Sequence, residues 1–364
     1  MPKQDAVYLD NNATAPLRAE AVAAMHKAMG PPSNPSSVHS FGRAARLAVE
    51  TARSSVAVLA GCRAQDVVFT SGGTEANNLV LAGFDHIITS EIEHDSVLQA
   101  APNATLIKAT EQGVIDTAHL ADKLATIDED AKPRTIISVM AANNETGVIQ
   151  PLEEITALAQ RAGVSTHSDM VQLVGKDHLD FAASGLDYAS LSGHKIGGPT
   201  GVGAVLVQPG KALTSLLRGG GQGQGRRSGT ENFIGIAGFG AAAEAAFGDV
   251  AHYQTMADWR DAFEALVIDK YPDAVVFGRG VPRLGNTSCI AASGKSSETM
   301  VMALDISGVA VSAGSACSSG KVKESHVLKA MGVSGLAGQA IRVSGGWQTR
   351  ASDFEKLAEV LLAL

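Results

Sequence analysis

VVFTSGGTEANNLVL, residues 67–81, is the stretch whose reading decides the fold. Its first four residues are apolar or β-branched without polar alternation, as in a strand buried on both faces. The run breaks at Ser71-Gly72-Gly73 and resumes with helical spacing through Leu81. A fully buried strand turning through glycines into a helix is the building unit of a layered α/β protein with a mostly parallel sheet. The glycines let backbone N–H groups approach an anion, and a helix start adds positive potential there. Thr74 suits two roles in this turn, a hydroxyl ligand to a phosphate or an ordinary N-cap.

Outward from this unit the same alternation continues. Strands are expected at 86–89, 135–140, 166–168 and 188–191, with a helix over 152–161 that stops at Gly163, and another strand at 201–207. RGGGQGQGRRSGT, residues 218–230, reads either as a low-complexity linker or, with two arginines and a terminal Ser-Gly-Thr, as a binding loop. Ala-rich helices are expected at 234–247 and 253–269. Beyond them come strands at 286–291, 309–312 and 341–344 and helices at 298–306, 325–331 and from Asp353 onward. A domain boundary is placed near residue 255, as the length of 364 residues suggests two domains.

Composition narrows the function. The net charge of -8, from 29 basic and 37 acidic residues, argues against a nucleic-acid partner, because phosphate neutralisation needs a basic face. No run reaches the ~18 apolar residues of a membrane span, and the N-terminus has no signal-peptide core. A cytoplasmic protein with no membrane partner is expected. Cys62, Cys289 and Cys317 are too few and too scattered for a disulfide framework or a zinc site. Cys62 and Cys289 fall in patterns suited to small core residues.

Polar residues recur where strands end, the edge at which open α/β sheets bind ligands. YASLSGHK, residues 188–195, delivers Lys195 at such an edge. A lysine there is either a surface residue or, with a depressed pKa, the type that forms a Schiff base with an aldehyde cofactor. Asp169 follows another strand and either caps a turn or pairs with a protonated pyridine nitrogen, with Gln172 three residues on to reach the ring hydroxylate. His94 follows a third strand, where it is structural or stacks on a ring and moves protons. Asn144, in NNETG (143–147), serves turn chemistry or reaches a ligand. Arg342, in a strand, offers a fork for a carboxylate or joins an ion pair. SAGSACSSG, residues 312–320, carries Cys317 in the composition of a mobile loop bearing a nucleophilic thiol.

TSGGTEANN, MAANNETG, SGHKIGGP, RSGTEN and GSACSSG, together with YLDNNAT at 8–14 and IRVS at 341–344, resemble the cysteine desulfurases of the NifS/IscS type, in the class V aminotransferase group. The resemblance spans nearly the whole chain. It implies a fold-type I pyridoxal-phosphate transferase: a large domain, 15–255, with a mostly parallel seven-stranded sheet, and a smaller α/β domain of 1–14 and 256–364 that carries the cysteine loop. It implies that Lys195 holds pyridoxal 5'-phosphate as a Schiff base and that His94 stacks on the ring. Asp169 would pair with the ring nitrogen and Gln172 with its phenolic oxygen. Gly73, Thr74, Ser192 and His194 would hold the phosphate, joined by Thr230 from the other subunit of a homodimer. Arg342, Asn144 and Asn11 would bind the carboxylate of L-cysteine, with Asn144 also near the cofactor. Cys317 would take the sulfur as a persulfide for an acceptor protein such as an iron–sulfur scaffold, so any contact of Cys317 with a cluster would be transient. Two departures stand out: Ala15 replaces a more usual Thr, and Lys321-Val322-Lys323-Glu324 follows the cysteine loop where Leu-Glu-Pro is more common. A selenocysteine lyase or cysteine sulfinate desulfinase of the same fold, or a noncatalytic sulfur-acceptor scaffold, are the alternatives.

Overall fold

The computed structural model describes residues 6–30, 32–292, 294–314 and 324–364. Cys317 and residues 321–323 of the departing segment lie outside them.

The chain opens with a short strand β1 (Val7–Tyr8) and two helices, α1 (Ala19–Ala28) and α2 (Ser40–Ala60). There follow β2 (Val67–Thr70), α3 (Gly73–Leu81), β3 (His86–Ser90), α4 (Asp95–Leu98), β4 (Thr105–Ile107), α5 (Thr117–Leu124) and β5 (Thr135–Ser138). Next are α6 (Leu152–Ala162), β6 (Ser165–Asp169), β7 (Tyr188–Ser192), β8 (Gly203–Val207), α7 (Phe233–Ala246) and α8 (Val250–Lys270). The last part holds β9 (Val275–Val276), β10 (Thr287–Ala291), α9 (Ser297–Ile306), β11 (Val309–Ala310), β12 (Ser312–Ala313), α10 (His326–Ala330), β13 (Ala340–Ser344) and α11 (Ala351–Ala363).

Seven strands form one sheet in the order β2-β8-β7-β6-β5-β3-β4. β4, β3, β5, β6 and β7 run parallel, and β8 lies antiparallel to both neighbours. Its pairing with β7 runs from Tyr188 opposite Val207 to Ser192 opposite Gly203. The sheet is covered on both sides, and β2 and β8 are buried along their whole length. Period-2 alternation sends Val67, Phe69, Leu191 and Leu206 into a core with α2 and α7, and Val68, Tyr188, Val205 and Val207 into a second core with α3. A four-stranded antiparallel sheet, β12-β13-β10-β9, and the β1-β11 pair pack with α8, α9 and α11 around a third core.

The expected elements occur, with shifted ends, and several are added. The sequence reading passed over α1, α2, β4, α5 and β9. The long apolar stripe of α2 is masked by arginines and serines on its other face; it ends at Gly61, which adopts φ 63. The stretch read as one strand over 309–312 is two, β11 and β12, in different sheets. α6 stops at Gly163, as expected, with that residue at φ 71. Among the described residues no single helix is long and apolar enough to cross a membrane; α7 and α8 are so only as a pair bent by 67°.

Polar side chains inside the sheet pair with one another. His167 of β6 lies between Ser138 Oγ (2.8 Å) on β5 and Ser190 Oγ (2.9 Å) on β7. Burial pushes its pKa down to about 4, against a smaller opposing pull from Asp169. Because the unfolded chain takes up this proton near pH 6.5 and the folded chain only near 4, His167 supports the fold above the higher value and loses that support as pH falls through the lower one. The full shift corresponds to about 3 kcal/mol. Denaturation midpoints of the parent and of His167→Gln should therefore converge, or invert, as pH is lowered from about 7 to about 4. Parallel curves over that range would contradict this account.

Candidate active site

The C-terminal edges of the parallel strands converge on one cavity of about 240 Å³. β3 leads to His94, β6 ends in Asp169, β7 ends in Ser192 and runs on to Lys195, and the turn beyond β5 carries Asn144. α3 points its N-terminus at the same space through Gly73 and Thr74, and β13 brings Arg342 across from the smaller sheet. Gly73, Thr74, His94, Asn144, Asp169, Gln172, Ser192, His194, Lys195 and Arg342 thus line a common cavity. Asn11 and Thr230 do not line it. Asn11 is buried against β13, its Nδ2 donating to Ser344 O (3.0 Å), while its neighbour Asn12 faces the cavity. Thr230 is exposed, at the end of the Gly-rich loop that Arg227 ties to Glu75 of α3 with bonds of 2.8 and 3.2 Å.

Lys195 sits in a single helical turn after β7. Its Nζ donates to the carbonyls of Asn12 (2.5 Å) and Ala13 (2.9 Å). The N-terminal segment therefore holds the lysine's amino group. His194, next to it, accepts or donates at Thr14 Oγ1 (3.2 Å). Burial, reinforced by Lys195 and Lys176, lowers the His194 pKa to about 4, so the ring is neutral at physiological pH.

Asp169 is buried and held by neutral donors: Oδ2 accepts from Asn77 Nδ2 (2.7 Å) and Oδ1 from the Val171 amide (3.0 Å). Asn77 uses its other N–H on Ser96 Oγ (2.8 Å), and that hydroxyl meets His94 Nδ1 (2.8 Å). The Ser96 amide donates to the same Nδ1 (3.0 Å), which makes that nitrogen an acceptor and the Ser96 hydroxyl a donor to it. Two donors at Nδ1 leave the ring proton of the neutral form on Nε2. Sequence reasoning found both ends of this chain, Asp169 and His94, and missed Asn77 and Ser96. The only available signal was that Asn77 lies three residues beyond Thr74, on the α3 face that points to β6.

Further buried groups surround the candidates. Arg342, 1% exposed, donates to Asp10 Oδ1 (2.7 Å) and to Asn144 O (3.2 Å), and its buried Nε has no partner among the described residues. The fork expected for a carboxylate is thus partly occupied by Asp10 and partly unsatisfied. Glu145 is buried, accepts from Ser325 Oγ (2.5 Å), and has its pKa raised by burial. Lys176, also buried, donates to Gln172 Oε1 (2.7 Å) and Asn12 Oδ1 (3.1 Å). Cys62 follows the end of α2 with its thiol pushed up to about 12 by burial, and Cys289 is fully buried in β10 with its thiol raised further. Neither is a nucleophile at neutral pH.

The donor set fits pyridoxal 5'-phosphate. Gly72 takes φ 155 to start α3, and the first-turn amides of that helix have no intrahelical acceptors. A Cβ at Gly73 would meet Val171 Cγ2 at 2.9 Å and Ser192 Cβ at 3.6 Å, so only glycine leaves this anion cradle open. A buried carboxylate held by neutral donors, as Asp169 is, calls for a cation such as a protonated ring nitrogen. The orphaned Arg342 Nε calls for an acceptor.

Taken together, this sheet, this edge and this lysine define a class V aminotransferase-type enzyme. The chain belongs to the class V aminotransferase family, whose model matches residues 7–357. It is 40% identical over 371 residues to a cysteine desulfurase of Cereibacter sphaeroides, covering 98% of this chain and 94% of that one. Its fold matches a NifS-like protein of Rickettsia africae with a TM-score of 0.89 at 34% identity, over 98% of each chain. It also matches SspA in complex with cysteine, with a TM-score of 0.78 at 29% identity, over 93% of this chain and 98% of that one.

Glu93 gives this site a measurable signature. Its Oε1 accepts from the Met140 amide (2.7 Å) and Ser90 Oγ (3.0 Å), and its buried Oε2 has no partner among the described residues. Burial, with a smaller push from Asp169, raises its pKa to about 8, so it is protonated at neutral pH. Because the folded pKa lies above the unfolded one, the stability this group contributes is present below pH 4.5 and is lost as pH rises through about 8. Glu93→Gln keeps the accepting oxygen and removes the titration. Its denaturation midpoint should gain on the parent's as pH is raised from about 5 to about 8; a constant gap would rule out the protonated carboxyl.

Proposed function

We propose that this chain is a pyridoxal-phosphate-dependent cysteine desulfurase that converts L-cysteine to L-alanine and stores the sulfur as a persulfide on Cys317. The observation that carries this reading is the placement of Lys195, Asp169 and the α3 N-terminus around one cavity. The names of the relatives, cysteine desulfurase and a protein in complex with cysteine, support the substrate.

In this reading Lys195 would hold the cofactor through its aldehyde. Gly73, Thr74, Ser192 and His194 would hold the phosphate, with Thr230 contributed by the second subunit of a homodimer. Asp169 would pair with the ring nitrogen, Gln172 would donate to the ring oxygen, and His94 would cover the ring face. The bound cofactor supplies an electron sink for the pair left on the substrate Cα. Lys195, once free, takes and returns the proton at that carbon. Arg342, with Asn144 and Asn11, orients the substrate carboxylate; the unpaired Arg342 Nε is the donor in hand for it. The Cys317 thiolate attacks the substrate sulfur, a sulfur–sulfur bond forms, the bond from sulfur to Cβ breaks with its electrons passing to the substrate, and protonation of the carbon gives alanine. The work is divided between residues 15–255, which hold the cofactor, and residues 1–14 with 256–364, which bring Arg342 and Cys317. A cytoplasmic acceptor protein, such as an iron–sulfur scaffold, then takes the sulfur.

Mass spectrometry of the cofactor-loaded protein after incubation with cysteine tests this directly: one added sulfur is expected on Cys317. Cys317→Ala should form alanine at least about 100-fold more slowly, and Lys195→Ala should lose both turnover and the cofactor's visible absorbance. Undiminished alanine formation by Cys317→Ala would overturn the persulfide route.

A further inference from the structure

Gln172 lines the cavity, and an amide has two unlike ends, so something must decide which end faces inward. We propose that Lys176 makes this decision: it is a positioning residue that holds the Gln172 carbonyl outward and so keeps the N–H end toward the bound cofactor. Lys176 is 4% exposed, four residues beyond Gln172. Its Nζ donates to Gln172 Oε1 at 2.7 Å and to Asn12 Oδ1 at 3.1 Å. The other end of the amide, Gln172 Nε2, donates to the Asn12 carbonyl at 3.0 Å, the same oxygen that accepts from Lys195 Nζ at 2.5 Å. Rotating the amide by half a turn would set N–H groups against the lysine's N–H groups and a carbonyl against a carbonyl. Both contacts would be lost, so one orientation is enforced.

Either protonation state of Lys176 supplies the donors, and in both a turned amide would set its carbonyl against that of Asn12. An ammonium has three N–H groups and an amine two, and two are all these contacts use. Burial, reinforced by Lys195 and Arg342, lowers the Lys176 pKa well below that of an ordinary lysine. A purely packing role is poorly served by such a residue. An amine buried among amides is expensive, and a methionine would fill similar volume without that cost. Asn286 Nδ2 already donates to Asn12 Oδ1 at 3.1 Å, so Asn12 does not need the lysine to satisfy that oxygen. Gln172 Oε1 does.

This inference rests on the reading of the site as a pyridoxal-phosphate site. The full chain is loaded with pyridoxal phosphate, and two quantities are read: cofactor affinity and the pH midpoint of the cofactor's visible absorbance. Apoprotein melting checks that each variant folds. Lys176→Met removes one of the two contacts that set the Gln172 amide, and weakened donation to the anionic ring oxygen should raise the midpoint by about half to one unit. Cofactor affinity should fall by up to about tenfold, the value of one hydrogen bond. Lys176→Arg, also a donor only, should stay near the parent in both. Because Lys176 acts through Gln172, Lys176→Met combined with Gln172→Met should shift the midpoint no further than Gln172→Met alone. An unshifted midpoint in Lys176→Met, or additive shifts in the double variant, would overturn the proposal. Absence of any visible band in the parent would instead overturn the cofactor reading itself.

Discussion

Asn12 has every polar atom engaged, and the arrangement of the site depends on it. Its amide donates to Ser344 Oγ (3.0 Å), and its Nδ2 to Asn144 O (3.2 Å) and Thr287 Oγ1 (2.9 Å). Its Oδ1 accepts from Lys176 and Asn286, and its carbonyl from Gln172 and Lys195. These partners come from the large sheet's edge, from the smaller sheet and from the turn after β5. One buried residue near the chain's start therefore fixes the distance between the lysine and Arg342, parts of the sequence that no local interaction would bring together. In a water-poor interior each of these bonds is costly to break, since the group left behind has no solvent to turn to.

A second constraint is electrostatic. Lys195 and Arg342 add to burial in lowering the proton affinity of Lys176, and Lys195 and Lys176 do the same to His194. Asp169 and a protonated Glu93 lie close together. The donors of Glu93 meet one of its oxygens, whereas those of Asp169 are shared between both. Asp169 and the basic groups line the same cavity, a distribution suited to a ligand that carries both signs of charge.

The sequence announced the elements that are buried on two faces and the residues that follow them, because both leave local marks. Strands β2, β5, β7 and β8 are short runs rich in apolar and β-branched residues, Gly73 and Lys195 follow β2 and β7 within three residues, and Asp169 closes β6. Asn77, Ser96 and Asn12 left no such mark. Each acts through a partner distant in sequence, and an asparagine inside a helix or beside a turn looks the same whether it bridges two functional groups or faces water. Lys176 left a faint mark in its four-residue spacing from Gln172, which turns into contact only because residues 170–177 coil as a helical turn, with Val174 N bonded to Met170 O at 3.0 Å and Asp177 N to Leu173 O at 3.1 Å. Helices α1 and α2 were passed over because their polar faces dilute the apolar stripe.

The reversed direction of β8 has a mechanical consequence. Parallel neighbours must be joined by a long crossover, whereas antiparallel ones can be joined by a short return. β7 and β8 are such a pair, and their last paired residues, Ser192 and Gly203, clasp the base of the connection that carries Lys195. The backbone bearing the lysine is thus a short loop pinned at its neck to the stiffest part of the molecule. A ligand that reaches this site meets a lysine whose backbone is tied down at that neck, so its reach is set by its four-carbon side chain.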